Sequence, residues 1–422
     1  MLDIKLIREN KKVVENGCKK RNSNVNIDKI LELDNEYRDK LFSLERIAAE
    51  KNKASRQISK IEDEGKKKKI ILEMKNIDKE GDKLSTEVKE QKEKLEELLL
   101  LIPNIPLEDV PAGKSEKDNV VLREVGEKPK FDFEPKNYLE IAKKLDLIDI
   151  ERSAKISGAR FSFLKRGLVL LEFALVDLVF KTLIKEGFVP IIPPVMLKKD
   201  VARGMGYFEQ VDEKEAYYFK DDDLYLAGTS EQPIGAMHSG EIFNGGDLPR
   251  RYVGFSTCFR REAGSYGKDT KGIMRVHQFD KVEMFSFCKP EESKNEHQFL
   301  LGIEEKLMKK LDLPYRVVHL CAGDMGLPSA STYDIETWIP SENYYRETHS
   351  TSNCADFQAR RLSIRYKKKD GKLDFVHTLN GTAFAIPRIL IAIIENYQRK
   401  DCFIEIPEVL KPYVGLDFIG KN

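Results

Sequence analysis

The sequence has no excess of charge of one sign, no closely spaced cysteines and no long apolar run. Its 72 Lys and Arg residues balance 71 Asp and Glu residues, so nucleic-acid binding would require a local basic patch. The six cysteines, at positions 18, 258, 288, 321, 354 and 402, include no CxxC pair, which indicates single thiols in a reducing compartment rather than a zinc knuckle or a disulfide framework. The most apolar window, 168–180, contains Glu172 and Asp177 and is no membrane helix. With no secretory signal at the N-terminus, these absences predict a soluble cytoplasmic protein.

Charge is concentrated in the first hundred residues, which contain 25 Lys and Arg and 22 Asp and Glu. An apolar seam with alternating steps of four and three begins at Ile70, as is typical of a coiled coil. A less regular stripe precedes it, so we expect an arm of two antiparallel helices that projects into solvent. Asn26 is the expected N-cap of the first helix, Gly65 its C-terminal stop, and Pro103 follows the second helix. The seam is Ile70, Met74, Ile77, Gly81, Leu84, Val88, Gln91, Leu95 and Leu98, and the preceding stripe is Ile30, Leu33, Tyr37, Leu41, Leu44, Ala48, Ile58 and Ile61.

The segment between the two predicted helices is basic. From Lys51 to Ile70 eight basic residues outnumber three acidic ones, and the run ends in Lys66, Lys67, Lys68 and Lys69. An isolated lysine run is most often a solvated tip. Clustered cations on a projecting arm also suit the phosphates of RNA. The hairpin alone therefore leaves open whether the arm binds a protein partner or RNA.

Prolines mark the end of the predicted arm. Residues 103–136 contain five of the 17 prolines and predict a linker with at most one short strand, around Val120 to Leu122. From about residue 137 an apolar helix at Gly167–Gly187, short strands and glycine-rich loops predict one α+β domain. The expected organisation is a helical domain at 1–102, a linker at 103–136 and a sheet domain at 137–422.

Two charged strands within 252–287 are predicted to form an antiparallel hairpin around a long loop at 264–272. Since side chains alternate along a strand, one face would gather charged groups and aromatic rings. These residues are Cys258, Arg260 and Glu262, then Phe279, Lys281, Glu283, Phe285 and Phe287. Charged groups on a strand face need either water or a ligand. The face could therefore be an exposed surface with ion pairs, or a site for a ligand with phosphate, an amine and a flat ring. GxGxxG and GxxxxGK[ST] loops between strand and helix are absent, as are HExxH and GxSxG, so ATP would have to bind on a sheet through Arg side chains.

These segments resemble the signature motifs of the seryl-tRNA synthetases, in the family's order and over essentially the whole chain. Phe259–Ser265 with Arg275–Glu283 resembles motif 2, and Leu379–Thr382 with Pro387, Arg388 and Glu395–Tyr397 resembles motif 3. Gly228–Glu231 resembles the serine-binding TxE segment, Glu347–Asn353 with Asp356–Arg361 matches a further signature, and Gly187–Pro194 fits the degenerate motif 1. Motif 3 departs from the usual pattern, because Thr382 replaces a serine and Pro387 a glycine.

The resemblance implies an α+β fold: an N-terminal antiparallel coiled-coil arm that binds tRNA, then a class II synthetase antiparallel β-sheet flanked by helices. It implies a homodimer formed through motif 1. The implied activity is a ligase that activates L-serine with ATP and Mg²⁺ and transfers serine to the 3′ end of tRNA(Ser). Whether tRNA(Sec) is also charged stays open.

The resemblance also implies the residues of the site. Arg260, Glu262 and Arg388 would be catalytic, with Arg260 on the α-phosphate. ATP would be bound by Arg260, Arg261, Glu262, Val276, Phe279, Glu347, Thr348, His349, Ser350 and Arg388, with adenine stacked on Phe279. Serine would be bound by Thr229, Ser230, Glu231, Arg260, Glu283, Asn380 and Thr382. Mg²⁺ would be held by Glu347 and Ser350, and tRNA by Lys66, Lys67, Lys68 and Lys69.

Each of these residues also has a structural explanation when taken alone. Thr229 or Thr382 would then be a local hydrogen-bonding group, and Glu283 the ion-pair partner of Lys281. Two other functions remain as alternatives. One is an inactive paralogue that acts as an RNA-binding or scaffold dimer, against which the intact motif residues argue. The other is a ligase that charges a carrier protein, against which the long arm argues.

Overall fold

The computed structural model describes residues 2–58, 63–207, 216–262 and 271–421. Their contacts divide them into a helical unit, residues 2–19 and 23–102, and a sheet unit, residues 20–22 and 103–421. No helix within the described ranges has both the length and the apolar character needed to cross a bilayer.

The helical unit is built from four helices. They are α1 Ile4–Glu9, α2 Lys11–Lys20, α3 Ile27–Ile58 and α4 Glu64–Leu100. Asn26 caps α3 as predicted, because its side-chain oxygen accepts a hydrogen bond from the backbone N–H of Lys29 at 3.0 Å. The second long helix ends at Leu100, shortly before Pro103, as the sequence also predicts.

Helices α3 and α4 pair antiparallel. Gln91 donates to Glu36 at 3.1 Å, and Lys40 pairs with Glu87 at 2.9 Å. Further along α3, Lys51 pairs with Asp78, so partners on α4 come earlier as those on α3 come later. All nine predicted seam positions of α4 are buried or half-buried, with Gly81, Val88 and Leu95 the most enclosed. The predicted coiled-coil hairpin is therefore confirmed.

Two details of the hairpin differ from the prediction. Ile47 is buried in the seam whereas Ala48 is exposed, and a Cβ on Gly81 would lie 3.3 Å from the Ile47 side chain. The second helix begins at Glu64, so Gly65 lies in its first turn and is not the predicted stop of the first helix. The reason is Asp63, whose carboxylate accepts from the backbone N–H groups of Gly65 and Lys66. Ile61, predicted in the stripe that precedes the seam, lies outside the described residues.

The sheet unit contains strands and helices in alternation. Its helices are α5 Tyr138–Leu145, α6 Ile150–Ser157, α7 Gly167–Lys185, α8 Lys199–Gly204, α9 Glu231–Ala236, α10 Ser293–Lys310, α11 Phe357–Leu362, α12 Ile386–Asn396 and α13 Lys411–Val414. Its strands are β1 Val120–Val125, β2 Ile148–Asp149, β3 Phe163–Leu164, β4 Val189–Ile191, β5 Met196–Lys198, β6 Tyr218–Phe219, β7 Leu224–Leu226, β8 Ile242–Asn244, β9 Arg250–Phe259, β10 Gln278–Cys288, β11 Tyr315–His319, β12 Ser331–Ile339, β13 Tyr344–Asn353, β14 Arg365–Lys367, β15 Leu373–Phe375, β16 His377–Ala385, β17 Ile404–Glu405 and β18 Phe418–Ile419.

Eight strands form the central sheet in the order β1-β11-β12-β13-β16-β10-β9-β4. Every neighbouring pair is antiparallel except β4 with β9, which is parallel. Helices α7, α10 and α12 pack against this sheet and supply a large part of the core. All six cysteines are buried free thiols, as their spacing predicts.

The segment predicted as a linker, 103–136, belongs to the sheet unit. Its one strand is longer than expected, and as β1 it pairs with β11 at the edge of the central sheet. The backbone N–H of Leu107 also donates to the carbonyl of Ala330 at 2.9 Å. The proline-rich segment is therefore packed as part of the sheet unit and is not a separate linker.

The predicted charged hairpin is β9 with β10, in a register that places Phe279 opposite Cys258 and Glu283 opposite Gly254. The strand period does not extend to Arg260 and Glu262, because β9 ends at Phe259 and Glu262 has a positive φ of 52°. Part of the predicted loop, together with motif 2 residues 263–265, lies outside the described residues.

Candidate active site

A cleft of about 740 Å³ lies in the sheet unit, and most of the predicted site residues line it. Its walls come from β10, β12, β13 and β16, the segment after β9, and the beginnings of α9 and α12. The predicted residues that line it are Thr229, Glu231, Arg260, Glu262, Val276, Phe279, Glu283, Glu347, Thr348, Ser350, Asn380, Thr382 and Arg388. Residues from four separate signatures therefore share one cavity.

Arg260 and Phe279 form one wall of the cleft. The Arg260 guanidinium lies 5.3 Å from the centroid of the Phe279 ring, and its Nε donates to the Gly228 carbonyl at 3.1 Å. The Arg260 main chain is fixed as well, because its N–H donates to the His277 carbonyl at 2.9 Å. A cation beside an exposed aromatic face can hold phosphate and a flat base at the same time.

A second cation of the cleft, Arg275, is given no role by the sequence analysis. Arg275 Nη1 lies 3.4 Å from a carboxylate oxygen of Glu262, and both residues line the cleft. Arg275 falls within the motif 2 resemblance, so the signal is present in the sequence.

Arg388 and Glu347 form an ion pair in the cleft. Arg388 Nη1 donates to Glu347 Oε1 at 2.9 Å and to the Glu347 carbonyl at 3.0 Å. The surrounding protein raises the pKa of Glu347, but Arg388 beside it, with Arg260 and Arg275 further away, outweighs this and leaves the pKa below its usual value. Glu347 is thus held as an anion.

Asp334 is a carboxylate of the cleft that the sequence analysis missed. It lies on β12 directly opposite Ser350 on β13 and is 9% exposed. One of its oxygens, Oδ1, is buried without a hydrogen-bond partner. Burial, with Glu347 nearby, raises the pKa of Asp334 well above its usual value, while its hydrogen bond to Ser350 acts in the opposite direction.

Two buried carboxylates that share contacts with Thr229 form a second group in the cleft, called here its acidic end. Glu231 and Glu283 are 5% and 2% exposed, and Glu283 forms an ion pair with Lys281, which also lines the cleft. The ion pair that would explain Glu283 structurally is therefore present, but it lies inside the cavity. Thr229 links the two acids, since its hydroxyl accepts from the Glu231 backbone N–H at 3.2 Å and donates to Glu283 at 3.4 Å.

The pKa of Glu231 is raised by burial and by the charge of Glu283. Hydrogen bonds from Tyr207 and Gln358 act against this increase. Asn380 and Thr382 approach the same end from β16, and Thr382 is paired in register with Glu283. This end offers buried anions and hydroxyls, a combination suited to a small polar amine.

Three predicted ligand-binding residues do not line the cleft, and the four lysines lie in the helical unit. Ser230 is fully buried and donates to the Gly254 carbonyl at 3.3 Å. His349 is buried beside Thr348, and burial lowers its pKa to about 3. Arg261 is exposed, 5.9 Å from the Tyr217 ring. The lysines, Lys66, Lys67, Lys68 and Lys69, lie in the first turns of α4.

An irregular wall of the cleft, residues 325–329, is held by hydrogen bonds that the sequence gives no sign of. Arg21 donates to the carbonyls of residues 325, 326 and 329 at 2.9, 2.6 and 2.7 Å. Asn104 donates to those of residues 327 and 328 at 3.0 and 2.9 Å. Five consecutive carbonyls are thus satisfied by two residues more than 200 positions away in sequence.

Comparison with known proteins matches both units. The seryl-tRNA synthetase N-terminal domain family matches residues 1–106, and the tRNA synthetase class II core domain family (G, H, P, S and T) matches residues 217–397. The serine–tRNA ligase of Kosmotoga olearia is 45% identical over 425 residues, covering 100% of both chains. The chain belongs to the seryl-tRNA synthetase family.

Other members of the seryl-tRNA synthetase family match over the same length. The serine–tRNA ligase of Dictyoglomus turgidum is 43% identical and covers 99% of each chain. The crystal structure of seryl-tRNA synthetase from Pyrococcus horikoshii complexed with ATP has a TM-score of 0.91 at 42% identity, with 100% of each chain covered. The cytoplasmic serine–tRNA ligase of Naegleria fowleri, in complex with AMP, has a TM-score of 0.87 at 35% identity, covering 100% of this chain and 99% of that one. The family and fold predicted from the motifs are confirmed.

Proposed function

We propose that this chain activates L-serine with ATP to form seryl-adenylate and pyrophosphate, and then transfers serine to the 3′ end of tRNA(Ser). The observation that supports this best is the polarity of the cleft. Arg260, Arg275 and Arg388 all act on Glu347 and form the basic end, and the buried acids Glu231 and Glu283, which share Thr229, form the acidic end. This distribution suits a polyphosphate next to an ammonium group.

At the basic end, Arg260 would contact the α-phosphate and Glu262 would help to hold ATP. Phe279 would stack on adenine, with Arg388 on its other face, and Val276 would line the base pocket. The planar guanidinium supports the choice of Arg260, since it can donate two parallel hydrogen bonds to one phosphate. Its position beside the Phe279 ring supports contact with a nucleotide.

At the acidic end, Glu231 and Glu283 would bind the serine ammonium group, and Thr229, Thr382 and Asn380 would surround the rest of the amino acid. Lys281 already pairs with Glu283, so serine would share this carboxylate with a fixed cation. Buried polar groups also discriminate against alanine, because its lack of a hydroxyl would leave them unpaired.

The reaction needs charge stabilisation more than proton transfer. The serine carboxylate is already an anion, so it can attack the α-phosphorus without a general base. Negative charge then spreads over the phosphate oxygens, where fixed arginines stabilise it without reorganisation. The role of the chain is to place the carboxylate, the phosphate and the arginines together.

The residues around Glu347 fit Mg²⁺. Carboxylate and hydroxyl oxygens are the ligands that Mg²⁺ prefers, and Glu347 with Ser350 would provide them. The unpartnered oxygen of Asp334, opposite Ser350, supports a cation at this place. When bound, the ion would supply positive charge to the phosphate oxygens.

The remaining partners follow from the two units. Lys66, Lys67, Lys68 and Lys69 would contact phosphates of tRNA(Ser), and the proposed location is the cytoplasm. A homodimer would form through the exposed apolar side of α7. Charging of tRNA(Sec) is a second outcome that the same assay can measure.

Serine-dependent exchange of pyrophosphate into ATP tests the proposed reaction. We expect exchange with L-serine, none with L-alanine, and aminoacylation of tRNA(Ser) by the same preparation. A folded protein without exchange that still bound tRNA would indicate the alternative, an inactive paralogue that acts as an RNA-binding dimer. Exchange without tRNA charging would instead indicate a ligase for another acceptor.

A further inference from the structure

Glu231 is held at both ends of its carboxylate by neutral donors. The Tyr207 hydroxyl donates to Oε2 at 2.7 Å, and the Gln358 amide donates to Oε1 at 2.9 Å. Tyr207 lines the cleft after α8, and Gln358 lies fully buried on α11. Neither contact involves a positive charge, so the full charge of Glu231 remains available to a ligand.

The orientation of Gln358 is fixed from its other side. Its Oε1 accepts from the Thr378 hydroxyl at 2.7 Å, and its Nε2 also donates to the Met205 carbonyl at 3.2 Å. A flipped amide would turn its oxygen towards the Met205 carbonyl and the Glu231 carboxylate, both of which are acceptors. Gln358 is therefore a donor to Glu231.

We propose that Tyr207 and Gln358 are positioning residues of the serine subsite, which hold Glu231 ionised and in the single orientation that receives the serine ammonium group. This inference rests on the proposed function. It adds two residues that act through Glu231 rather than on the reacting carboxylate or phosphorus, and it assigns part of the serine affinity to them.

The electrostatics of the subsite explain why Glu231 needs these donors. The titratable groups that face it are Tyr207, Lys281 and Glu283 on β10, and Cys354 after β13. Burial and Glu283 raise the pKa of Glu231, while the hydrogen bonds from Tyr207 and Gln358 and the charge of Lys281 lower it. Burial and Glu231 raise the pKa of Tyr207 well above its usual value, so its hydroxyl stays a donor.

Tyr207→Phe is the sharpest test, because it removes one hydroxyl and keeps the ring. A hydrogen bond to a charged group is worth enough for its loss to raise the serine KM roughly 10- to 100-fold in pyrophosphate exchange. The KM for ATP should stay within about twofold of wild type. Removing the donor raises the pKa of Glu231 further, so the acid limb of the serine kcat/KM profile should move to higher pH.

The matched control is Tyr218→Phe. Tyr218 donates to Asp223 at 2.8 Å in an exposed pair outside the cleft, so the same substitution should leave both KM values unchanged. Gln358→Met, which keeps the length of the side chain, should repeat the effect of Tyr207→Phe on serine. In a Glu231→Gln background, Tyr207→Phe should not raise the serine KM further, because its effect on serine binding depends on Glu231.

The outcomes separate the two proposals. A serine KM within about twofold of wild type in Tyr207→Phe, or equal rises in both KM values, would overturn the positioning role while the wild type remained a serine-activating enzyme. Lower thermal stability with a fall in kcat alone would also overturn it, because that pattern indicates a purely structural contact. Absence of serine-dependent exchange in the folded wild type would overturn the proposed function and this inference with it.

Discussion

At the scale of single residues, Arg260 would provide a fixed charge where the proposed reaction develops negative charge. Arg260→Ala should slow seryl-adenylate formation by roughly 10²–10³-fold, in line with the loss of one oxyanion-type donor. Arg260→Lys should not restore the rate, because a point charge cannot both donate to the Gly228 carbonyl and stack beside Phe279.

Pyrophosphate exchange at saturating serine and ATP measures this step. Arg152→Ala is a suitable control, because the Arg152 side chain is 73% exposed and pairs with Asp149, the residue that caps its helix. Exchange by Arg260→Ala within about threefold of wild type would show that the α-phosphate lies elsewhere.

Glu304 is a second residue with a measurable consequence, this time for stability. It is fully buried on α10, both of its oxygens lack hydrogen-bond partners, and a Cβ on Gly381 would lie 3.0 Å from one of them. Burial, with Asp334 and Glu283 nearby, raises the pKa of Glu304 well above its usual value. Above the unfolded pKa of 4.5, the folded state therefore keeps a proton that the unfolded state releases, and stability falls as pH rises.

Glu304→Gln should remove this loss of folding stability at higher pH, because an amide does not titrate. The difference in melting temperature, variant minus wild type, should grow more positive from about pH 5 to about pH 8. Glu305→Gln should not show this gain, because Glu305 pairs with Arg123 at 2.6 Å and its pKa is lowered. An unchanged difference across the range for Glu304→Gln would mean that Glu304 is ionised in the folded protein.

Sequence reasoning identified cleft-lining residues that belong to a motif, and it missed those that only the fold brings together. Arg260, Glu283 and Arg388 belong to recognisable segments, and all three line the cleft. Gln358 meets Glu231 across 127 positions, and Arg21 meets Met325 across 304. Periodicity and local spacing contain no information about such contacts, because loop paths bring these residues together. For the same reason, the sequence does not predict that an oxygen of Asp334 lies buried in the cleft without a hydrogen-bond partner.

At the scale of elements, helix periodicity predicted the hairpin well and its turn poorly. Burial of one stripe determines the α3–α4 seam, and the sequence displays that stripe directly. The beginning of α4 depends instead on one cap, Asp63, whose hydrogen bonds outweigh the helix-terminating tendency of Gly65. As a result, the lysines predicted for a loop occupy the first helical turns.

Lysines at a helix N-terminus oppose the helix dipole, which favours a ligand as the reason for their presence. Replacing Lys66, Lys68 and Lys69 by Gln should weaken tRNA binding and reduce its salt dependence, by up to about one unit of slope per lost phosphate contact. Thermal stability should not fall. The matched control replaces Lys367, Lys368 and Lys369, an exposed run of the sheet unit, and filter binding at several salt concentrations compares the two. Equal losses of tRNA affinity would show that net charge alone matters.

The register of the hairpin allows a sharper truncation of the arm. Lys40 pairs with Glu87, so deleting residues 41–86 and closing the gap with a short glycine-rich turn keeps the base in register. Arg21 and Asn104 remain, and with them the wall of the cleft at 325–329. Pyrophosphate exchange should persist, and aminoacylation of tRNA(Ser) should collapse. Normal charging by the folded truncated protein would show that the arm is not the tRNA-binding element.

At the scale of the whole molecule, the sheet unit exposes an apolar side that a second copy would cover. Leu170, Phe173 and Ile184 follow one side of α7 and are 47%, 64% and 50% exposed. Strand β4 lies at the edge of the central sheet and is followed by Ile192, which is 80% exposed. Edge strands and exposed apolar patches are common sites of association. Together with the position of motif 1, this supports a two-fold dimer through α7 and β4.

Phe173→Glu should convert that dimer into a monomer without unfolding it, because the ring is largely exposed within one chain. Burying two glutamates at a two-fold interface leaves charges without partners, which costs several kcal/mol. If dimer formation is needed to keep the cleft active, pyrophosphate exchange should fall as the dimer is lost in sedimentation velocity.

Phe42→Glu is the matched control, since Phe42 is 69% exposed in the helical unit. A wild-type protein that sediments as an active monomer, or a Phe173→Glu variant that stays dimeric, would contradict this interface. A monomeric but fully active variant would instead show that each cleft works alone.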